Sequence, residues 1–151
     1  MLTHIKKVLL VLLIVFVNTS FAQKTITNKT EMCETITDMI QKDRDIRLKI
    51  PDSFKKDDGT YSKKEIDSLI QKRNTIDKHN TEQLIELTKE YGWISGERID
   101  CPNLETWLIF RHADPKYFNE ISALIEQEHN AKRLSSWHYK LIKNHINGRP
   151  H

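Results

Sequence analysis

Asp43 and Arg47 stand four residues apart in Asp43-Arg44-Asp45-Ile46-Arg47, and on a helix that spacing puts both side chains on one face. Two readings are open. As an exposed pair they would contribute only about 0.3–0.5 kcal/mol. As part of a cleft, the planar fork of Arg47 would grip a carboxylate or phosphate while Asp43 holds it in position. A second pair is His112-Ala113-Asp114. A histidine closing a helix is favoured by the helix dipole when protonated. A His-x-Asp pair can equally supply a general base held by a carboxylate. It can also supply two ligands of a metal, but a divalent site wants about three or more from the protein. No metal and no cofactor is expected. Asp114, followed by Pro115, also suits the cap of a helix.

The other chemistry-bearing types are sparser. Trp93 and Arg98 lie in an irregular stretch, Gly92 to Asn103, that holds two of the four glycines, Cys101 and Pro102. Three tryptophans in a small helical protein are core anchors before they are ligand platforms, and Trp93, beside a glycine in a loop, is the one to watch. His138 and His145 are seven apart, two helical turns, too far to chelate one ion. His79, His129, His138, His145 and His151 all read as surface residues. Asp58-Gly59 with Glu65 imitates the second half of an EF-hand, but Phe54 and Lys56 stand where carboxylates belong, and a lysine there repels calcium. Neither a Gly-rich phosphate loop nor a Gly-x-Ser-x-Gly elbow occurs.

These residues have to be positioned by helices. Met32, Ile36, Met39, Ile40 and Ile46 recur at helical spacing from Glu31 to about Lys49, and Pro51 stops that helix. Charged residues 52–61 read as an exposed connection. Ser62 and Glu65 then form a capping box ahead of Ile66, Leu69, Ile70 and Ile76. Asn80 can cap a further helix or a bend, with Leu84, Ile85, Leu87 and Tyr91 as its apolar face and Gly92 as its stop. Asn103 is expected to cap a short helix in which Trp107-Leu108-Ile109-Phe110 leaves no wet face, making it the central helix of the core. Asp114-Pro115 opens another, with Tyr117, Phe118, Ile121, Leu124 and Ile125 as its stripe. A last helix starts near Ser135 or Ser136, carries Trp137, Leu141 and Ile142, and ends at Gly148. With no strand pattern and no repeat, the expected class is all-α, a single compact domain of about five or six helices.

The N-terminus reads as a secretory signal: Lys6-Lys7, ten apolar residues from Val8 to Val17, then Ser20-Phe21-Ala22 as a cleavage pattern before Gln23. The apolar run is shorter than the roughly 20 residues a bilayer span needs. The expected organisation is therefore signal peptide 1–22, a flexible lead-in 23–30 and one helical domain 31–151, with no stable membrane insertion after cleavage. The chain carries 24 basic and 21 acidic residues, net +3. Without Lys6 and Lys7 it has 22 basic against 21 acidic, a balance that favours neither nucleic acid nor an anionic membrane. Export to the periplasm or the extracellular space makes a Cys33–Cys101 disulfide the natural pairing of the two cysteines, with two reduced thiols as the alternative.

The Asp43-to-Arg47 segment, Tyr91-Gly92-Trp93, and Trp107-Leu108-Ile109-Phe110-Arg111-His112-Ala113-Asp114 together resemble a bacterial family known only as domain of unknown function six-six-two-four. The resemblance covers Ile40 to the C-terminus. Two departures stand out: Ile94 replaces the proline usual after Gly-Trp, and a Gln-rich tail of longer members is lacking. The family has no established activity, so the resemblance implies a fold and candidate positions only.

Three functions compete. The leading expectation is a binding or interaction module for a protein or small-molecule ligand, its polar cleft formed by Asp43, Arg47, Trp93, Arg98, His112 and Asp114. The second is a hydrolase-like enzyme with His112 as base and Arg47 as anion clamp. The third is a structural envelope protein. Convergence of Arg47 and His112 is what the first two require.

Overall fold

Three helix starts, at Asn28, Ser62 and Ser135, are each set by a polar side chain that takes up a backbone N–H which the helix itself leaves unpaired. The structure, a computed structural model, describes residues 23–51 and 61–148. The expected signal peptide, the Asp58-Gly59 turn and the EF-hand-like segment before it lie outside the described residues.

Helix α1, Lys29–Lys49, opens at Asn28, whose side-chain oxygen accepts from the Glu31 N–H, and closes at Ile50 ahead of Pro51. Its buried stripe is Ile36, Met39, Ile40, Asp43 and Ile46. Helix α2, Lys63–Tyr91, begins with the Ser62/Glu65 capping box that the sequence predicts. It does not break at Asn80. The helix is continuous for 29 residues, about 44 Å, because Asn80 is buried and spends its amide on another helix, donating to the Met39 carbonyl at 2.8 Å. Gly92 closes α2 at φ +76°, as expected of a glycine stop.

Helix α3, Trp107–Arg111, is only five residues long and differs from expectation in two ways. Asn103 does not cap it but takes a left-handed turn at φ +61°, and Thr106 precedes the helix with its hydroxyl donating to the Ile94 carbonyl. Nor is it dry all round: Ile109 and Phe110 are buried, while Trp107 and Leu108 are only half-buried. Asp114 caps a single 3-10 turn, Pro115–Tyr117, which leads into helix α4, Phe118–Asn130. Helix α5, Ser136–Ile146, is capped by Ser135. Among the described residues there are five α-helices and no strand, so the fold is all-α.

Helix α1 packs along α2, and α3 packs against both α2 and α5, with α4 against α5. One continuous core results, centred on Ile36, Leu84, Trp93, Phe110, Ile121 and Ile142, all at most 1% exposed. Cys33 and Cys101 are joined in a disulfide with Cα atoms 5.7 Å apart. It fastens the N-terminal end of α1 to the loop before α3. Arg47 is fourteen residues further along α1, roughly 21 Å away, so the staple does not draw Arg47 towards Trp93. Of residues 23–30, read from composition as a flexible lead-in, the last two begin α1 and those before it are tied down at several points. The Lys24 N–H donates to the Glu90 carbonyl at 2.8 Å, and Ile26 packs against the core.

Candidate functional site

The C-terminal half of α1 carries Asp43 and Arg47 to the middle of α2 and to the residue that ends α3. Asp43 falls on the buried stripe of α1, seven residues after Ile36, so its carboxylate is taken out of water and must be paired. Three partners meet there. The His112 Nδ1 lies 3.0 Å from both oxygens of Asp43, and since a carboxylate only accepts, Nδ1 carries the proton in this pair. Arg47 Nη1 is 3.2 Å from Asp43 Oδ1. The two terminal nitrogens of Arg47 also donate, each at 3.1 Å, to the two oxygens of Asp77 on α2. Arg73 Nε stands a further 3.9 Å from Asp77, completing a polar chain that runs His112, Asp43, Arg47, Asp77, Arg73. Burial pushes the Asp77 carboxyl up, Arg47 pulls it down, and Asp43 adds a like charge that pushes up again; the net result is above the ordinary value.

This chain floors a cleft of about 680 Å³. Its walls come from α2 (Arg73, Lys78), the end of α3 (Arg111, His112), the following turn (Asp114, Lys116) and α5 (His145). His145 is itself seated by Nε2, which donates to the Ala113 carbonyl at 3.2 Å, and by edge contact with Phe118. Among the described residues five cations line the cleft with only two carboxylates, Asp77 and Asp114, and Asp77 is already engaged by Arg47. The field in the cleft is therefore positive.

Of the residues singled out in the sequence, Asp43, Arg47, His112 and Asp114 are brought together here. Asp114 lines the rim while its carboxylate accepts from the Lys116 N–H at 3.0 Å. Trp93 and Arg98 are not part of this cleft. Trp93 is 1% exposed, packed against Phe110 with ring centres 6.0 Å apart, because its loop is drawn inwards by a buried acid. That acid is Glu128 of α4, whose carboxylate accepts from the Trp93 N–H at 2.7 Å, from Gln23 Nε2 at 3.0 Å and from Arg133 through two bonds at 2.6 and 2.9 Å. Arg98 turns back onto its own loop, donating to the Trp93 carbonyl at 2.9 Å. Burial alone would raise the Glu128 carboxyl, but the bonds from Arg133, Trp93 and Gln23 outweigh it and hold the group below the ordinary carboxylate range.

Asp77, Arg73, Lys78 and Lys116 escaped the sequence reading because each sits in a stretch of alternating charge with nothing to mark one from another. Glu128 did carry a signal: it lies seven residues after Ile121 and three after Ile125, on the apolar stripe of α4, and a charge on such a stripe is buried and paired. Among the described residues no three His, Cys, Asp or Glu side chains gather in a way that would hold a metal. No protein-family model, no curated protein and no solved structure matches this chain.

Proposed function

We propose that the chain is an exported binding module whose cationic cleft takes a small anionic ligand bearing a carboxylate or phosphate. The observation that carries this reading is the network in which buried Asp43 is joined to half-buried Arg47, Asp77 and His112 under a positive cleft. Buried charge is a poor way to stabilise a fold, since apolar residues of similar volume do as well or better. Such a network is best accounted for as the rigid floor of a site. In this role Arg47 is a positioning residue, its fork already engaged by two carboxylates, and the ligand is met by Arg73, Lys78, Arg111 and Lys116. The Cys33–Cys101 disulfide suits an oxidising compartment, and no described helix is long and apolar enough to cross a membrane. With the signal pattern of residues 1–22, these support export to the periplasm or beyond. Three of the motif residues behind the resemblance to family six-six-two-four, Arg47, His112 and Asp114, line the cleft, and a fourth, Asp43, lies beneath it.

Thermal-shift measurements with inorganic phosphate, a di- or tricarboxylate and a sugar phosphate test the reading. A ligand at about a hundredfold excess over its Kd stabilises by about 2.7 kcal/mol. That shift is expected in the native protein and lost in Arg73→Ala and Lys78→Ala, both changes on the cleft wall. If none of the anions raises Tm, or the shift survives both substitutions, the anion site is wrong.

The Asp43–His112 hydrogen bond favours a second reading, a hydrolase-like enzyme with His112 as base. The anion clamp then falls to Arg73 or Lys78 in place of Arg47. Here His112→Gln abolishes turnover of an ester or phosphoester while leaving the thermal shift with anions intact. A protein with neither turnover nor ligand would fit the third role, a structural part of the envelope.

A further inference from the structure

The first residue after the Ser20-Phe21-Ala22 pattern is Gln23, and Gln23 is held by its side chain. Its carboxamide donates through Nε2 to Oε1 of Glu128, an acid that is 1% exposed and fixed on its other sides by Arg133 and the Trp93 N–H. The amide oxygen lies against Gly92 so closely that a Cβ there would fall 2.4 Å from it and 2.9 Å from the amide carbon. The next residue is anchored twice to the end of α2: the Lys24 N–H donates to the Glu90 carbonyl, and Lys24 Nζ pairs with the Glu90 carboxylate, each at 2.8 Å. Gly92, Glu128 and Arg133 thus make a fitted socket for one particular side chain, 105 residues from Glu128 in sequence.

We propose that this socket is the binding site for the new N-terminus that signal cleavage creates, and that it protects Gln23 from cyclisation. The inference rests on the export reading above. An N-terminal glutamine destroys itself when its neutral α-amino nitrogen attacks the side-chain amide carbon: a C–N bond forms, the bond to the amide nitrogen breaks, and ammonia leaves with a proton from the amine. The attack requires the side chain to fold back over its own backbone. In the socket the amide is instead held by Glu128 and its carbon is packed on Gly92, so cyclisation has to wait for the residue to come out. The amide nitrogen that the reaction expels is the same atom that donates to Glu128. The Gly-Trp pair, prominent in the sequence and absent from the cleft, acquires its function here: Gly92 makes room for the amide, and the Trp93 N–H fixes the acid that holds it.

Intact-mass spectrometry of the protein exported by a bacterial host, followed over days at mildly alkaline pH where the α-amino group is largely neutral, tests this. The expected product begins at uncyclised Gln23. It should lose ammonia about tenfold or more slowly than the same protein unfolded in urea, given hydrogen bonds to a charged acceptor. Gly92→Ala, which puts a methyl group where the amide oxygen lies, should bring the folded rate towards the unfolded one, with circular dichroism reporting that the helices persist. Equal rates in the folded and unfolded wild type overturn the socket, whatever the variant does. A chain cut at another residue overturns it as well. A chain never cut at all overturns the export reading itself, so the two failures are distinguishable.

Discussion

Asp43 is the residue on which the cleft depends. It occupies a place on α1 where an apolar side chain would continue the stripe, and it is kept because His112 and Arg47 satisfy it. Asp43→Ala should destabilise the protein by about 2–3 kcal/mol, measured by urea unfolding. That is less than a fully buried pair would lose, since Arg47 remains 27% exposed and partly hydrated. Glu128 supports a prediction in pH. Its folded carboxyl lies below its ordinary value of 4.5, so the folded chain binds this proton more weakly than the unfolded one. Its contribution is in full force above that value and is lost as pH falls through the lower, folded one. Urea midpoints followed from pH 6 downwards should therefore drop in the wild type and drop less in Glu128→Gln. Asp77 acts with opposite sign: raised in the folded state, it favours folding only under acid, and that contribution fades as pH climbs through its folded value. The i,i+4 spacing of Asp43 and Arg47 and the position of His112 were legible in the sequence. Their shared partner was not, because Asp77 reaches Arg47 across 30 residues and nothing local distinguishes it from Asp67 or Lys78.

Helices announce themselves where their ends are made of local chemistry. Ser62 with Glu65, Asp114 with Pro115, Ser135 and Gly92 each act within a few residues, and each lies where the sequence predicts an end. Asn80 and Asn103 show the limit of that logic. Both are good caps by type, yet one bonds a neighbouring helix and the other takes a left-handed turn, and both outcomes depend on what packs alongside. If Asn80 links α1 to α2, Asn80→Ala should cost about 1–3 kcal/mol and leave the far-ultraviolet circular dichroism of the native state unchanged. Were it a cap between two helices, helical signal would fall with it. The same principle explains α3: four consecutive apolar residues read as a helix dry on every side, but in a five-residue helix two of them suffice to reach the core.

At the scale of the whole molecule the all-α class followed from periodicity alone, whereas the division of the expected cleft did not. Trp93 and Arg98 stand with Glu128, apart from Arg47 and His112, because a buried acid on α4 draws their loop inwards. What holds that loop from the other side is the Cys33–Cys101 bridge, which spans 68 residues. Replacing both cysteines by serine should cost about 4 kcal/mol on chain-entropy grounds, read as a lower urea midpoint that reductant no longer changes. The bridge also makes the chain a ring with two tails. Asp43, Arg47 and Asp77 lie within the ring and His112 lies on a tail. A protease that cuts one peptide bond between Cys33 and Cys101 opens the ring without releasing a fragment, so the nicked protein keeps its full mass on a gel until a thiol is added. A cut after Cys101 sheds a piece at once. Damage to the two halves of the cleft thus leaves different traces: one is hidden until the bridge is reduced, and the other is visible immediately.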